Sequence, residues 1–589
     1  MPNRPIAHIL DDVDIEVSER TTVGLLLRQA QRRGDHVFVR HHDGASWQGV
    51  TWRAFADRFL TVAARLVQEG VAAGDRVALM SENRVEWLVA DFAIQAAGAT
   101  TVPIYPTSSA AVAHDILAGS GAALAFVAGE EGSERLAPVR TVRFDDDFEA
   151  WQAGEPEAGA REELERRCKN LSPDDVATIV YTSGTTGQPK GAILAHRCIT
   201  DIVRSCLDAF DVGPDDRTLS FLPYAHVLER IDSVAVCIAG GATLWISRGR
   251  DELLEDMQEC RPTLLVAVPR FLEKVQQGVL VRVRQERPLR RRLFHWAVAC
   301  GRRRVRGQTS RAYPLAERLV LAPLRTRLTG GALRYLVVGG APLSEDVEEF
   351  FWSLGIQVFQ GWGMTETSAA ATANRVGSRR LGTVGPVLAG VEVRIADDGE
   401  ILVRSPGNLL GYLGDVAATA ESLVDGWVHT GDVGSLDADG FLRITDRKRD
   451  LIKTAGGKFV APQPIEARLE QDPLIERAVV IGDRRPYVVA LIVPDWSAVR
   501  HDLGVGGEPA ELCRDARVRG AVEAVVDRVN ADLGSWETVK RFQLLPEDSE
   551  ESSGELTPTL KVRRPVVQAR FAAEIEALYA DAAIRQTGA

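Results

Sequence analysis

Cysteine is scarce in this chain, and its spacing excludes two chemistries. Seven occur in 589 residues: Cys168, Cys198, Cys206, Cys237, Cys260, Cys300 and Cys513. No two are spaced as Cys-x-x-Cys, and an odd, scattered set indicates neither a zinc site nor a disulfide framework. A reducing cytoplasm is the compartment expected. Long apolar runs are also missing. Nothing approaches the ~20 residues that a membrane-spanning helix needs. The strongest candidate, Val234 to Ile246, is too short, contains Gly240-Gly241 and reads as buried core. Met1 to Val17 carries several acids and no apolar stretch, so no signal peptide is expected. Basic residues are outnumbered, 70 Lys and Arg against 82 Asp and Glu, and a net charge of −12 argues against general nucleic-acid binding. No internal repeat is visible.

What is present is the composition of a globular protein, with 45% hydrophobic and 26% charged residues. The length exceeds what one core serves, so two or more domains are expected. Strand-like and helical patterns alternate from about residue 50 to 360. Strands are expected at 76–80, 100–104, 124–127, 242–246, 264–268, 333–338 and 357–360, and a helix over 85–98. That alternation predicts an α/β fold of parallel-rich sheets covered by helices. Short strands and Gly/Asp turns dominate from about 380 to 447 and predict a small β subdomain. Beyond 450 the pattern is α+β, with strands at 478–481 and 488–493 and helices at 463–471 and 517–532. The chain therefore divides into a large domain, 1–447, and a smaller one, 448–589. Glu547 to Gly554 reads as a mobile acidic loop. Residues 282–311 hold a dense arginine run (Arg290, Arg291, Arg292, Arg302, Arg303, Arg304) around Leu293, Phe294 and Trp296. It reads either as a solvated helix face or as a basic amphipathic patch that rests on anionic membrane.

The most informative stretch is Tyr181-Thr182-Ser183-Gly184-Thr185-Thr186-Gly187-Gln188-Pro189-Lys190-Gly191, which follows the strand-like Val176 to Val180. Glycines let backbone N–H groups approach a polyphosphate, hydroxyls donate to it and the lysine supplies charge. It is not a Walker A loop, because Pro-Lys-Gly stands at 189–191 where Gly-Lys-Ser/Thr would be needed. A phosphotransferase is disfavoured for that reason. Downstream, a strand runs into Gly339-Gly340-Ala341-Pro342, whose small residues let a flat ring lie against backbone. Gln360-Gly361-Trp362-Gly363-Met364-Thr365-Glu366 offers an aromatic face in Trp362, a hydroxyl in Thr365 and, in Glu366, a hard oxygen ligand suited to Mg²⁺.

These segments resemble the signatures of the adenylate-forming superfamily, and Leu222-Pro-Tyr-Ala-His-Val-Leu-Glu-Arg230 resembles its long-chain fatty acyl-CoA synthetase branch. Val268-Pro269-Arg270 and Val102 to Ser108 resemble that branch too. The resemblance spans nearly the whole chain. It implies ATP-dependent activation of a medium- to long-chain fatty acid to an acyl-adenylate, with pyrophosphate leaving, followed by transfer to CoA thiol. It also implies roles. Thr182, Ser183, Gly184, Thr185, Thr186, Gly187 and Lys190 would hold the phosphates, Thr185 and Glu366 the Mg²⁺. Gly340, Ala341, Pro342, Gln360, Gly361, Trp362, Gly363, Met364 and Thr365 would line the adenine and α-phosphate site. Asp432 and Arg447 would reach the ribose. Lys561 would be the catalytic lysine, stabilising charge as carboxylate and α-phosphate approach. The smaller domain would be mobile, turning about Arg449, where Arg departs mildly from the family's usual Asp or Lys. That turn would bring Lys453, Gly456, Gly457 and Lys458 to the site for the pantetheine arm. His226 reads either as a donor to the acyl carboxylate or as a packing histidine, and Tyr224 is expected to narrow the acyl pocket. Three alternatives stay open: a ligase that loads a carrier protein's pantetheine, a ligase for another apolar carboxylic acid, and an ATP-binding scaffold without activity.

Overall fold

The helix Val85–Ala96 is mostly apolar and buried at every position but Glu86, which requires cover on nearly all sides. Two sheets supply part of that cover. The computed structural model describes residues 18–153, 156–183, 189–249, 251–448, 450–456, 458–547 and 562–586. One sheet has seven strands, in the order Gly411–Tyr412, Pro189–Ala195, Val176–Ser183, Thr100–Ile104, Arg76–Met80, Leu124–Val127, Arg140–Arg143. The other has eight, in the order Ala369–Ala373, Val358–Met364, Tyr335–Val338, Leu264–Ala267, Arg217–Ser220, Thr243–Ile246, Val37–His42, Trp47–Thr51. Their inner strands pair in parallel; both edges of the eight-stranded sheet and the Gly411–Tyr412 edge of the other are antiparallel, while the Arg140–Arg143 edge is parallel. The expected strands are all present, three of them at the predicted bounds and the others within four residues of them.

Two differences matter for the site. The stretch after Val180 was expected to leave its strand for a loop. Instead the strand runs on to Ser183 and returns as Pro189–Ala195, with Thr182 directly opposite Lys190. Thr182, Ser183, Pro189 and Lys190 of the phosphate-binding candidate thus lie on the paired antiparallel strands of a hairpin. Likewise, Val358–Met364 continues past Gln360 because its second half pairs with Ala369–Ala373. Glycines weaken a strand pattern, which hid that extension. Gly363 is there for a close approach: a Cβ on it would stand 1.6 Å from the Ala369 carbonyl oxygen.

The β subdomain is a five-stranded antiparallel sheet built on Trp427–Leu436, which pairs with Glu400–Arg404 on one side and Leu442–Arg447 on the other. After it come a two-stranded hairpin, Ile452–Lys453 with Phe459–Val460, and a three-stranded sheet, Ile475–Ile481, Val488–Pro494 and Val539–Leu544. Pro462–Leu469 and Ala516–Asn530 pack into the same apolar cluster as these strands. Val234 to Ile246 is buried core as expected, reversing at Gly240-Gly241. No described helix is long and apolar enough to cross a membrane.

The Leu222–Arg230 segment proves largely architectural. Arg230 pairs with Asp91 of the buried helix and also donates to Thr178 of the seven-stranded sheet at 2.7 Å. Glu229 accepts the Ser220 hydroxyl at 2.6 Å, and burial pushes its carboxyl up to about 8. The folded protein therefore holds a proton here that the unfolded chain releases near 4.5. The stabilisation is complete below that value and is lost as the pH climbs through about 8. Thermal melts of the wild type should show a midpoint falling over this window. Glu229→Gln should make the decline shallower, and an unchanged slope would contradict the assignment.

Candidate functional site

A cavity of about 690 Å³ opens between the hairpin, the Val358–Met364 strand and the β subdomain. Its polar end carries Thr182 and Lys190 from the hairpin, and Trp362, Gly363, Met364, Thr365 and Glu366 from the strand and the turn after it. Glu366 is 7% exposed and accepts the Tyr412 hydroxyl at 2.7 Å. Lys190 lies over the same tyrosine ring, 5.6 Å from its centre. Tyr412 reaches this place because Gly411–Tyr412 pairs with the returning hairpin strand. The turn that presents Glu366 holds two non-glycine residues with left-handed backbone, Ser368 (φ 54°) and Ala369 (φ 73°). Such strain persists only when neighbours enforce it. Here Ser368 donates to the Gly407 carbonyl at 2.7 Å, and the Leu409 N–H donates to the Glu366 carbonyl at 2.8 Å.

One wall comes from the β subdomain. Asp432 and Arg447 sit opposite each other on paired strands, and the Arg447 Nε lies 3.0 Å from Asp432 Oδ1. The Trp362 indole N–H donates to the other oxygen at 2.8 Å. Glu400, His429 and Lys448 also line this wall, with the Lys448 ammonium 3.0 Å from Glu400.

The far end is apolar, walled by Phe210, Val212, Val236, Leu264, Val266 and Tyr335. Part of it is a π-helical segment, Leu228–Ala235, a wide turn of the kind often found at functional sites. His226 stands where the polar and apolar parts meet in sequence. Its Nδ1 accepts the Leu228 N–H at 3.1 Å, so the neutral ring carries its proton on Nε2.

The expected residues separate into groups. Thr182, Lys190, His226, Gly340, Gly361, Trp362, Gly363, Met364, Thr365, Glu366 and Arg447 line the cavity. Asp432 is buried just behind its wall. Gln360 is turned away, its amide donating to buried Glu348 at 2.5 Å, so it supports the strand and does not face the cavity. Ala341 and Pro342 are exposed and outside the lining. So are Lys453, Gly456 and Lys458: Lys453 lies over Phe459 and Lys458 over Trp536. No described residue beyond Lys448 lines the cavity. Ser183 ends its strand opposite Pro189. Gly184, Thr185, Thr186, Gly187, Arg449, Gly457 and Lys561 lie outside the described residues. The expectation for Tyr224 is overturned. It packs 5.2 Å from Trp87 inside the core and lines no part of the cavity, because the Asn83 side chain accepts its backbone N–H and fixes the segment inward. Tyr412, Glu400, His429 and Lys448 were not anticipated: Tyr412 and Glu400 belong to short strands with no motif of their own, and His429 and Lys448 stand beside Asp432 and Arg447, to which the motif chemistry was assigned.

Among the described residues no three His, Cys, Asp or Glu side chains cluster as a metal site. A single buried carboxylate beside hydroxyl and ammonium groups such as Thr182 and Lys190 is nonetheless compatible with Mg²⁺ bound mainly through substrate phosphates, and Glu366 fits it.

Residues 26–413 match the AMP-binding enzyme family and 449–583 the AMP-binding enzyme C-terminal domain. The chain is 36% identical over 596 residues to long-chain-fatty-acid–CoA ligase FadD15 of Mycobacterium tuberculosis, covering 96% of this chain and 98% of that protein. It is 30% identical to human long-chain-fatty-acid–CoA ligase 1, covering 98% of this chain and 88% of that protein. The fold matches the crystal structure of the anthranilate CoA ligase AuaEII with anthranoyl-AMP at a TM-score of 0.73 and 19% identity, over 96% of this chain and 99% of that one. The chain belongs to the AMP-binding, adenylate-forming enzyme family.

Proposed function

We infer that this protein is an AMP-forming long-chain fatty acid–CoA ligase. The observation that carries the reading is one cavity joining a charged, phosphate-compatible end to an apolar end. The fatty carboxylate attacks the α-phosphate of ATP, the bond to pyrophosphate breaks, and an acyl-adenylate forms. CoA thiol then loses its proton, attacks the acyl carbon and releases AMP. Lys190 and Thr182 bind phosphate oxygens. His226 donates from Nε2 to the acyl carboxylate. Asp432, oriented by Trp362 and Arg447, accepts from the ribose hydroxyls. Glu366 holds Mg²⁺, which would neutralise phosphate charge. Lys561 stabilises the charge that builds on the shared oxygens. Residues 1–447 and 448–589 form the two domains, and a turn about Arg449 exchanges Lys561 for the 454–458 loop. Lys561→Ala should slow adenylation at least about 100-fold yet leave conversion of supplied acyl-adenylate to acyl-CoA near the wild-type rate. Equal losses in both half-reactions would contradict the exchange.

Each buried methylene contributes about 0.8 kcal/mol, so specificity should rise with chain length until the tunnel is full. Phe210 and Tyr335, in edge contact at 5.5 Å, set that limit in place of Tyr224. Comparing acetate, octanoate, dodecanoate, hexadecanoate and benzoate by AMP release tests the reading, and a clear preference for acetate or benzoate would refute it. Phe210→Ala should move the optimum to longer acids. An unmoved optimum would place the tunnel's end elsewhere.

The arginine-rich region forms the helix Pro288–Val305, which buries Phe294, Ala297, Val298, Cys300 and Gly301 and exposes Arg290, Arg291, Arg292, Arg303 and Arg304. Leu289, 79% exposed, and Leu293 lie among these arginines. Apolar side chains in basic company support peripheral contact with anionic membrane.

A further inference from the structure

The apolar half of the cavity contains one group that a plain hydrocarbon chain leaves stranded. Asp232 projects from the π-helical segment into the lining, alongside Cys206, Phe210, Val236 and Ala370. Its carboxyl accepts the backbone N–H of Ala370 and meets the Cys206 thiol, Sγ to Oδ1 at 3.8 Å. A carboxyl group offers about four acceptor positions, so these two partners leave capacity unused. An alkyl chain drawn past it removes water and returns no hydrogen bond. Stranding a buried polar group this way costs about 1–3 kcal/mol. A tunnel built only for saturated acids would place valine or leucine here.

We propose that Asp232 makes this enzyme selective for fatty acids that carry a hydroxyl group in mid-chain. This rests on the fatty acid–CoA ligase reading and deepens it. A hydroxyl both donates and accepts, so it satisfies Asp232 in either protonation state. Burial holds the carboxyl up at about 7, so both states are populated near neutral pH. A keto group would serve only the acid form and an ammonium only the anion. The depth follows from the neighbours. Asp232 lies on the π-helical segment beyond His226, and its partner Cys206 stands one helical turn before Phe210 at the far end of the cavity. The hydroxyl therefore belongs near the middle of a sixteen-carbon acid, not beside the carboxylate or at the chain end.

The test is kcat/KM by AMP release for hexadecanoate and its 3-, 8- and 16-hydroxy derivatives. Wild-type protein should favour the 8-hydroxy acid over hexadecanoate by about tenfold. Asp232→Val should bring that ratio to about one or below, by raising hexadecanoate and lowering the hydroxy acid. Asp232→Asn, which still accepts from Ala370 and still bonds a hydroxyl, should keep most of the preference. A merely structural Asp232 would instead lower all four acids by one factor. That result, a wild-type preference for hexadecanoate over every hydroxy acid, or a preference for the 3- or 16-hydroxy isomer would overturn the proposal. Failure of the wild type to activate any of the four would instead count against the ligase reading beneath it.

Discussion

Glu366→Gln is expected to lower kcat/KM for acyl-adenylate formation by about 10²–10³-fold, the loss typical of one electrostatic group aimed at a transition state. The position of the carboxylate sets this expectation. It is buried beside the hairpin, receives the Tyr412 hydroxyl, and projects from a turn held in a strained backbone by Ser368 and Leu409. Glutamine keeps the shape and still accepts from Tyr412, so thermal stability should barely move. What it removes is the charge that, in the proposed role, would hold Mg²⁺ against the phosphates. The defect should shrink as Mg²⁺ is raised, which a titration of rate against metal concentration reads directly. Normal activity at limiting Mg²⁺ would remove Glu366 from the metal site.

Arg230→Ala is expected to cost about 3–5 kcal/mol of stability, because it leaves a buried charge unpaired. The two side chains are 8% and 4% exposed, Arg230 Nε donates to Asp91 Oδ2 at 2.9 Å, and the guanidinium also lies over Trp87. Without it, Asp91 keeps only neutral donors, Gln95 at 2.9 Å and Thr101 at 2.8 Å. Urea unfolding should show a lower midpoint with little change in slope. Replacing both partners, Asp91→Leu with Arg230→Met, should recover part of the loss, since neither charge then remains. A single variant as stable as wild type, or a double variant no better than the single, would contradict this account.

These two residues mark what the sequence made legible. The 360–366 segment exposed its chemistry because backbone spacing and side-chain type both matter within a few residues. Glu229 and Arg230 were equally visible as part of a motif, yet their task is to tie a helix, a π-turn and two sheets together. Nothing local distinguishes a motif kept for packing from one kept for chemistry. Trp362 was read as an aromatic face, and the structure adds that its N–H orients Asp432. Tyr412 was illegible for a simpler reason. It reaches the cavity through a strand pairing that joins distant parts of the chain, and no periodicity records such a register. Alternation of apolar runs with helical patterns located every strand of the two large sheets that was expected, because buried parallel strands are nearly continuous in apolar residues. Tyr224 misled because size alone suggested a pocket wall, whereas its neighbours Asn83 and Trp87 place it in the core.

The most direct measurement is product analysis with hexadecanoate, ATP and Mg²⁺, with and without CoA. Without CoA, mass spectrometry should find hexadecanoyl-adenylate and pyrophosphate. With CoA it should find hexadecanoyl-CoA and one AMP per thioester. ADP in place of AMP, or no adenylate and no thioester with any long-chain acid, would contradict the account.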